Sequence, residues 1–361
     1  MLLYPHPLDY ATGLKHVITN KVVNLEYRIS PSTFYVEEVV DFSEMGLNNQ
    51  KGEYAALKLY KEDVEMLKAV EVVARSLNVP VGNLHFYGLK DRSARTLSYI
   101  FVKRSLIEKS ALPVEAKGIK LELVGFVKSK PKKSHYRGNK FRVLINNASA
   151  SHYEILMDIA GVIAEVGLPS YYGYQRFGYR RYNSHVLGKY LLLGREDLFA
   201  LEFLRSLFPL EEREVAYKRV AGQFKGLLYE DAYAKAPLGS GLWVVVRRAR
   251  NMFLDAYASY LFNQLLNLII DRGDFSVLHA PLPMPGCPEG SELYNSIAQL
   301  EGVPPKLLKR LPCFHREGLF KPEESKISLA NGVLTYEFKL RPGMFATVVL
   351  REIFKWNLAI E

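Results

Sequence analysis

Cysteine is almost absent: Cys287 and Cys313 are the only two among 361 residues. Two cysteines cannot build a four-cysteine zinc site, and the eight histidines show no H-x-x-x-H pairing to complement them. No structural or catalytic metal is therefore expected. One disulfide is compatible with the count, but a chain working in a reducing cytosol is expected to keep two free thiols. No apolar run approaches the roughly 18 residues needed to span a bilayer. The opening MLLYPHPLDYATGLKH has no basic segment followed by an apolar one, so no secretion signal is read there. A cytoplasmic chain without membrane association is the expectation. Internal repeats, low-complexity tracts, phosphate-cradling glycine loops and a Ser-His-Asp spacing are also missing, which leaves few kinds of chemistry open.

What is present is a basic chain of globular composition. Its length suits two domains, and 48% hydrophobic with 24% charged residues is the balance of a packed protein. Lys plus Arg number 48 against 38 Asp plus Glu, a net charge of +10, which favours polyanionic partners through phosphate neutralisation. The cations gather in four places: Lys128, Lys130, Lys132, Lys133, Arg137, Lys140 and Arg142; Arg176, Arg180 and Arg181; Arg247, Arg248 and Arg250; Lys306, Lys309 and Arg310. Any one cluster also fits a solvated face. Three of them have Tyr136, Phe141, Tyr179, Tyr182 or Phe253 close by. Cations for phosphates beside flat rings for unstacked bases are what an RNA surface needs.

Strands are expected at 22–29, 34–40, 54–60, 84–87, 97–102, 121–128 and 140–146, from their β-branched and aromatic content and alternation. A helix is expected from an Asp63 cap to about Leu77, and others over 151–166, 185–207 and 250–272, from apolar spacing. Residues 327–338 read as a hairpin turning at Asn331-Gly332. The order is sheet-rich, then helical, then sheet-rich, as for a helical domain inserted into a sheet domain.

Between two of these strands lies HFYGLKDRSARTLSYIFVKR, which sets Asp91 among Lys90, Arg92 and Arg95. A carboxylate beside cations stays ionised, which suits a nucleophile or base. Taken alone, these residues more often mean a turn aspartate held by salt bridges.

GLKDRSART resembles the signature G-x-K-D-[RK]-x-A-x-T of the TruD family of RNA pseudouridine synthases. Four more blocks are similar to that family's, in the same order: RISPSTFYVEE (28–38), HYRGNKFRVLI (135–145), GLPSYYGYQRFG (167–178) and LRPGMFATVVLRE (340–352). The resemblance covers nearly the whole chain. It implies an α+β protein: the pseudouridine synthase catalytic fold, a mixed and mainly antiparallel sheet flanked by helices, formed by 1–189 plus 313–361. A mainly helical family-specific domain would be inserted at 190–312. It further implies isomerisation of a uridine in RNA, uridine-13 of tRNA being the expected target, with Asp91 catalytic and no cofactor. tRNA or another structured RNA is the partner, and no obligatory protein partner is implied.

By the same resemblance Phe34, Ser170, Tyr172, Phe345 and Arg28 belong to the uridine pocket. Lys90, Arg92, Lys132, Lys133, Arg137, Arg176, Arg180, Arg181, Arg247 and Arg248 are the cations expected to meet RNA. The chain departs from the family pattern at three places. Ser170 stands for the usual Asn, with one donor in place of two. Arg28 stands for the Lys of bacterial members and keeps the charge in a planar fork. Thr33 replaces the Asp before Phe34. A non-catalytic RNA-binding or RNA-folding factor on the same scaffold is the alternative from another class, and an adaptor for acidic proteins is a third.

Overall fold

The computed structural model describes residues 2–88, 94–107, 112–116, 118–178, 181–204, 206, 214, 216–217, 232–233, 235–236 and 240–360. A nine-stranded mixed sheet is its frame. Its strands lie side by side in the order Glu323–Ala330, Val333–Leu340, Tyr136–Ile145, Phe34–Val40, Arg95–Lys103, Tyr54–Glu62, Ile119–Val127 and Val114–Ala116. His85–Phe86 pairs with Arg95–Lys103 off this path. Phe34–Val40 runs parallel to Arg95–Lys103, and the other neighbours are antiparallel. The chain is thus α+β with helices flanking a mixed sheet. Glu323–Ala330 and Val333–Leu340 come from the C-terminal end of the chain and sit beside Tyr136–Ile145, as the hairpin reading requires. Asn331 and Gly332 both take positive φ, and Ala330 faces Val333 across the turn.

Local departures from the sequence reading have local causes. Of 22–29, only Tyr27–Arg28 is a strand, and it pairs in parallel with Leu358–Ala359 rather than joining the large sheet. Asp63 has φ +51 and so cannot begin a helix; the helix runs Met66–Ser76 behind Glu65. The expected helix 185–207 is two, Ser184–Leu193 and Glu196–Leu204, because Gly194 takes a left-handed conformation and caps the first. The helix expected from 250 is longer, Gly241–Arg272. Cys287 and Cys313 are bonded to one another across a sequence separation of 26, so the two free thiols expected are a disulfide. Among the described residues no helix is long and apolar enough to cross a membrane.

The main core lies between one face of the sheet, helix Ala150–Val166, the buried half of Gly241–Arg272 and helix Ala346–Phe354. All nine residues of that last helix are buried, polar ones included. Arg351 donates from Nε to Asp9 Oδ1 at 2.8 Å, from Nη1 to the His16 carbonyl at 2.8 Å and from Nη2 to the Leu14 carbonyl at 2.7 Å. Asp9 also accepts from the Tyr174 hydroxyl and from the His6 amide. Burial alone would push the Arg351 pKa down, but the Asp9 carboxylate holds it above the ordinary arginine value. Beside Arg351, the Glu352 carboxylate accepts from the Ile18 and Thr19 amides at 3.1 and 2.9 Å. The N-terminal segment is therefore fastened to the C-terminal helix by charged side chains on backbone groups. Arg351→Met leaves the Asp9 carboxylate buried and unpaired; the expected loss is about 3–5 kcal/mol of unfolding free energy, read from urea denaturation.

His185 is buried between Phe177, edge-on at 5.1 Å, and Tyr260, stacked at 4.8 Å. Burial pushes its pKa down to about 3. The unfolded chain then binds a proton that the folded chain refuses between about pH 6.5 and pH 3. Stability from this residue is complete above pH 6.5 and falls as pH drops through that window, by about 3 kcal/mol at pH 4. Urea melts at pH 7 and pH 4 should show that loss in the wild type and a smaller one in His185→Phe.

Candidate active site

The block 167–178 crosses the molecule with little regular structure: Leu168–Pro169 pairs with Leu319–Phe320, and Tyr174–Phe177 is a short 3-10 turn. Between these two, side chains from elsewhere hold its backbone. Asn263, buried on the long helix Gly241–Arg272, accepts from the Tyr172 amide at 2.8 Å. Its Nδ2 donates to the Tyr172 and Thr12 carbonyls at 3.1 and 2.9 Å. One turn further on, Asn267 accepts from the Tyr171 hydroxyl at 2.6 Å and donates to the Gly13 carbonyl at 3.0 Å. A peptide group without strand or helix partners needs such surrogates when buried.

The closing block approaches from the other side. Gly173 is required there by space: a Cβ on it would sit 2.3 Å from Thr347 Oγ1 and 3.1 Å from Phe345 Cβ. Thr347 Oγ1 donates to Gln175 Oε1 at 2.8 Å, which ties the two blocks together. The Tyr172 ring then meets Phe345 edge-on at 5.7 Å and Phe262 edge-on at 5.9 Å. Ser170 is fully buried; its amide donates to the Gly318 carbonyl at 2.9 Å, and its hydroxyl faces the Met344 sulfur at 3.7 Å. Ser170, Tyr172 and Phe345, expected together from motifs more than 170 residues apart, are therefore neighbours.

Phe34 lies in the same core, stacked on Phe141 at 5.7 Å. Ala94, the first described residue after the Asp91 segment, is also buried in that core. The parallel pairing of Tyr35 with Arg95 sets Phe34 and Ala94 at the same level of the sheet. Arg28 is exposed and lies 3.9 Å from Glu26. The Thr33 hydroxyl donates to the Arg28 carbonyl at 2.7 Å and accepts from the Ser30 amide at 3.1 Å. In place of a charge contact, Thr33 closes the turn that leads into Phe34. Asp91, Lys90, Arg92 and Arg180 lie outside the described residues.

The remaining expected RNA cations differ in situation. Lys132 and Lys133 are exposed, as are Arg247 and Arg248, and Arg247 lies over the exposed Trp243 ring at 5.1 Å. Arg137 is exposed but paired with both Asp41 and Glu44 at 3.0 Å. Arg176 donates to Ser259 Oγ at 2.9 Å, and its guanidinium carbon lies 5.5 Å from the Tyr172 ring centre. Arg181 faces inward: it is buried and donates to the Phe203 and Ser206 carbonyls at 2.8 and 3.1 Å, capping the end of helix Glu196–Leu204. That guanidinium is committed to orphan helix carbonyls and does not face solvent, which corrects its reading as an RNA-facing cation.

Two contributors had no motif to mark them. Asn263 is one. Arg316 is the other: it is 7% exposed, its guanidinium carbon is 4.1 Å from the Tyr172 ring centre, and it donates to the Ser170 carbonyl at 2.9 Å. Among the described residues, one group brings metal-ligating atoms within 4.8 Å of each other, Cys287, Glu289 and His315. The Cys287 sulfur is already bonded to Cys313, and Glu289 and His315 form an exposed pair at 3.2 Å.

Residues 13–279 match the family described as tRNA pseudouridine synthase D (TruD). The chain is 26% identical to the tRNA pseudouridine synthase D of Aquifex aeolicus over 92% of its own length and 98% of the relative's. It is 27% identical to the "Probable tRNA pseudouridine synthase D" of Saccharolobus solfataricus, over 97% of this chain and 98% of that one. A TruD crystal structure from Methanosarcina mazei superposes with a TM-score of 0.63, at 22% identity, over 98% of this chain and 96% of the other, which shows a shared fold.

Asn263→Ala strips the Tyr172 amide and carbonyl of their partners at once. Each buried group left unsatisfied costs about 1–3 kcal/mol, so the variant should show a clearly lowered midpoint in urea. Asn263→Asp, which puts a carboxylate oxygen against the Thr12 and Tyr172 carbonyls in a fully buried site, should fall below Ala at neutral pH.

Proposed function

We propose that this chain, which belongs to the tRNA pseudouridine synthase D family, isomerises a uridine of tRNA to pseudouridine, with Asp91 at the reacting nucleotide and uridine-13 as the target. The reaction breaks the bond between the ribose carbon and uracil nitrogen, turns the base, and rejoins it through carbon. No atoms are gained or lost. The observation that carries the reading is the assembly of buried Ser170 and Tyr172 with partly buried Phe345, from two distant blocks, into one wall.

The chemistry asks for such a wall. A uridine must leave its stack to be reached, and the freed base must be held while it turns. Aromatic rings offer faces and edges to a flat base without fixing one hydrogen-bonding orientation. A water-poor site also strengthens any charge contact made there. Asp91 is assigned the role at the sugar because the family signature places its aspartate at that position. Support comes from the residue that follows the segment: Ala94 lies inside the core that holds Phe34 and Tyr172. RNA affinity is assigned to the exposed cations Lys132, Lys133, Arg247 and Arg248, and the segment 190–312 to the family-specific module.

The test is pseudouridine mapping on unmodified tRNA transcripts by carbodiimide labelling and primer extension. Wild type should give one enzyme-dependent stop, at uridine-13. Asp91→Ala should lose the stop, with a rate reduced at least by the 10²–10⁴-fold typical of removing a group that transfers a proton at the reacting atoms, while still binding tRNA. A wild type that binds tRNA and leaves every uridine unchanged would replace this reading with that of a binding factor.

A further inference from the structure

Arg316 lies on the short strand His315–Glu317, opposite Leu282. Its Nε donates to the Ser170 carbonyl at 2.9 Å and its Nη1 to the Gly343 carbonyl at 2.8 Å. Those carbonyls belong to the two blocks that make the pocket wall. The same guanidinium lies flat enough on Tyr172 to put its carbon 4.1 Å from the ring centre, and it is 5.9 Å from the centres of both Phe262 and Phe345. Its Nη2 has the Met344 sulfur at 3.9 Å, a weak acceptor at that distance.

Among the described residues no carboxylate forms an ion pair with this cation. Burial pushes its pKa down from the ordinary arginine value, opposed by Tyr172, yet a guanidinium remains charged at any physiological pH. The partners it does have are carbonyls, and a brace between two carbonyls could be made by a neutral amide. What Arg adds is a rigid planar fork of donors with a face that stacks on a ring. All three properties are used at one point, where the two walls and Tyr172 meet.

We propose that Arg316 is a positioning residue for the isomerisation: its guanidinium fixes the separation of the Ser170 and Gly343 segments and the tilt of the Tyr172 ring, and so sets where the uracil is held. The proposal rests on the pseudouridine synthase reading above. It makes a division of labour. Affinity for tRNA comes from phosphate contacts spread over the surface and does not depend on Arg316. The rate of the chemical step depends on it, because a displacement of about 1 Å at a reacting group can cost on the order of 10²-fold.

The experiment compares wild type, Arg316→Lys, Arg316→Gln and Asp91→Ala on an unmodified tRNA transcript, under single-turnover conditions and in a filter-binding assay. Expected are rates about 100-fold below wild type for both Arg316 variants, Kd values within about threefold of wild type, since the phosphate contacts are untouched, and partial recovery of Arg316→Gln on adding guanidinium at concentrations that leave wild type unchanged. Lysine should not rescue, since it has the charge without the fork. A near-wild-type rate in Arg316→Lys would overturn the proposal, as charge alone would then suffice. Equal losses in rate and affinity would also overturn it, making Arg316 an RNA contact. If both variants fail to fold, Arg316 is a folding element and the proposal is wrong. A wild type that makes no pseudouridine, whatever the variants do, removes the reading beneath it and the proposal with it. An active wild type with active variants removes the proposal alone.

Discussion

The pair of Asp9 and Arg351 is the constraint on which the rest of the fold leans. Helix Ala346–Phe354 is buried along its whole length, so any polar residue on it must find partners inside the protein. Arg351 finds one carboxylate and two carbonyls, all from residues 9–16, and the neighbouring Glu352 finds two amides from residues 18 and 19. A buried ion pair often contributes little net stability compared with apolar residues of the same size. Its worth here is geometric. Five directional bonds fix the helix both along its axis and about it, which apolar packing alone does less sharply. Phe345 immediately precedes this helix and Thr347 lies in its first turn, so the position of Phe345 follows from that anchor. Tyr174, whose hydroxyl also reaches Asp9, carries the same constraint into the other block of the wall.

The irregular run from Ser170 to Gly173 poses the opposite problem: backbone without a ladder, deep in the core. The long helix solves it with Asn263 and Asn267, set in a mainly apolar buried face. An amide side chain presents a donor and an acceptor as a strand edge does, so Asn263, which meets both the amide and the carbonyl of Tyr172, replaces one rung of a missing sheet, while Asn267 holds the Tyr171 hydroxyl. Arg316 then supplies a further set of donors, to the Ser170 and Gly343 carbonyls. The segment is held by two distant elements without being regular, and its side chains are free to be chosen for what they face rather than for periodicity.

This explains what could be read in the sequence and what could not. Phe34–Val40 was legible because its alternating burial imposes alternation on residue types, Tyr54–Glu62 because its residues suit a strand packed on both faces, and the hairpin because Asn-Gly fits a turn with two positive φ values. Ser170, Tyr172 and Phe345 were legible only through family resemblance; nothing in their local pattern separates them from core residues. Asn263, Arg316 and Asp9 were not legible at all. The partners of Asn263 and Arg316 are backbone groups of distant segments, and a carbonyl oxygen has no letter in a sequence; those of Asp9 include the side chains of Tyr174 and Arg351, which no spacing links to it. The same blindness misread Arg181, which sits in a basic run but caps a helix from inside. The cysteines were misread because spacing along the chain does not report that Cys287 and Cys313 meet, with Cα atoms 4.6 Å apart.

Charge shows most clearly how far composition carries. A net +10 suggests a polyanion, yet a cation already neutralised on the surface contributes little to counterion release. Arg137 is shared by Asp41 and Glu44, Arg142 is held by Glu337 at 2.6 Å and Lys140 by Glu324 at 2.7 Å. Within the richest basic cluster, then, three cations are balanced where they stand, and their carboxylate partners come from other parts of the chain. Lys132 and Lys133 in the same cluster, and Arg247 and Arg248 on the long helix, have no ion pair among the described residues and are exposed. In the proposed reading these are the residues whose charge an RNA phosphate can use, while Arg316 keeps its charge beside Tyr172 and Arg176 shares its own with Asp255 at 3.7 Å. Grip on the RNA and control of the base would thus be assigned to different cations, distinguished by burial and pairing and not by their place in the sequence.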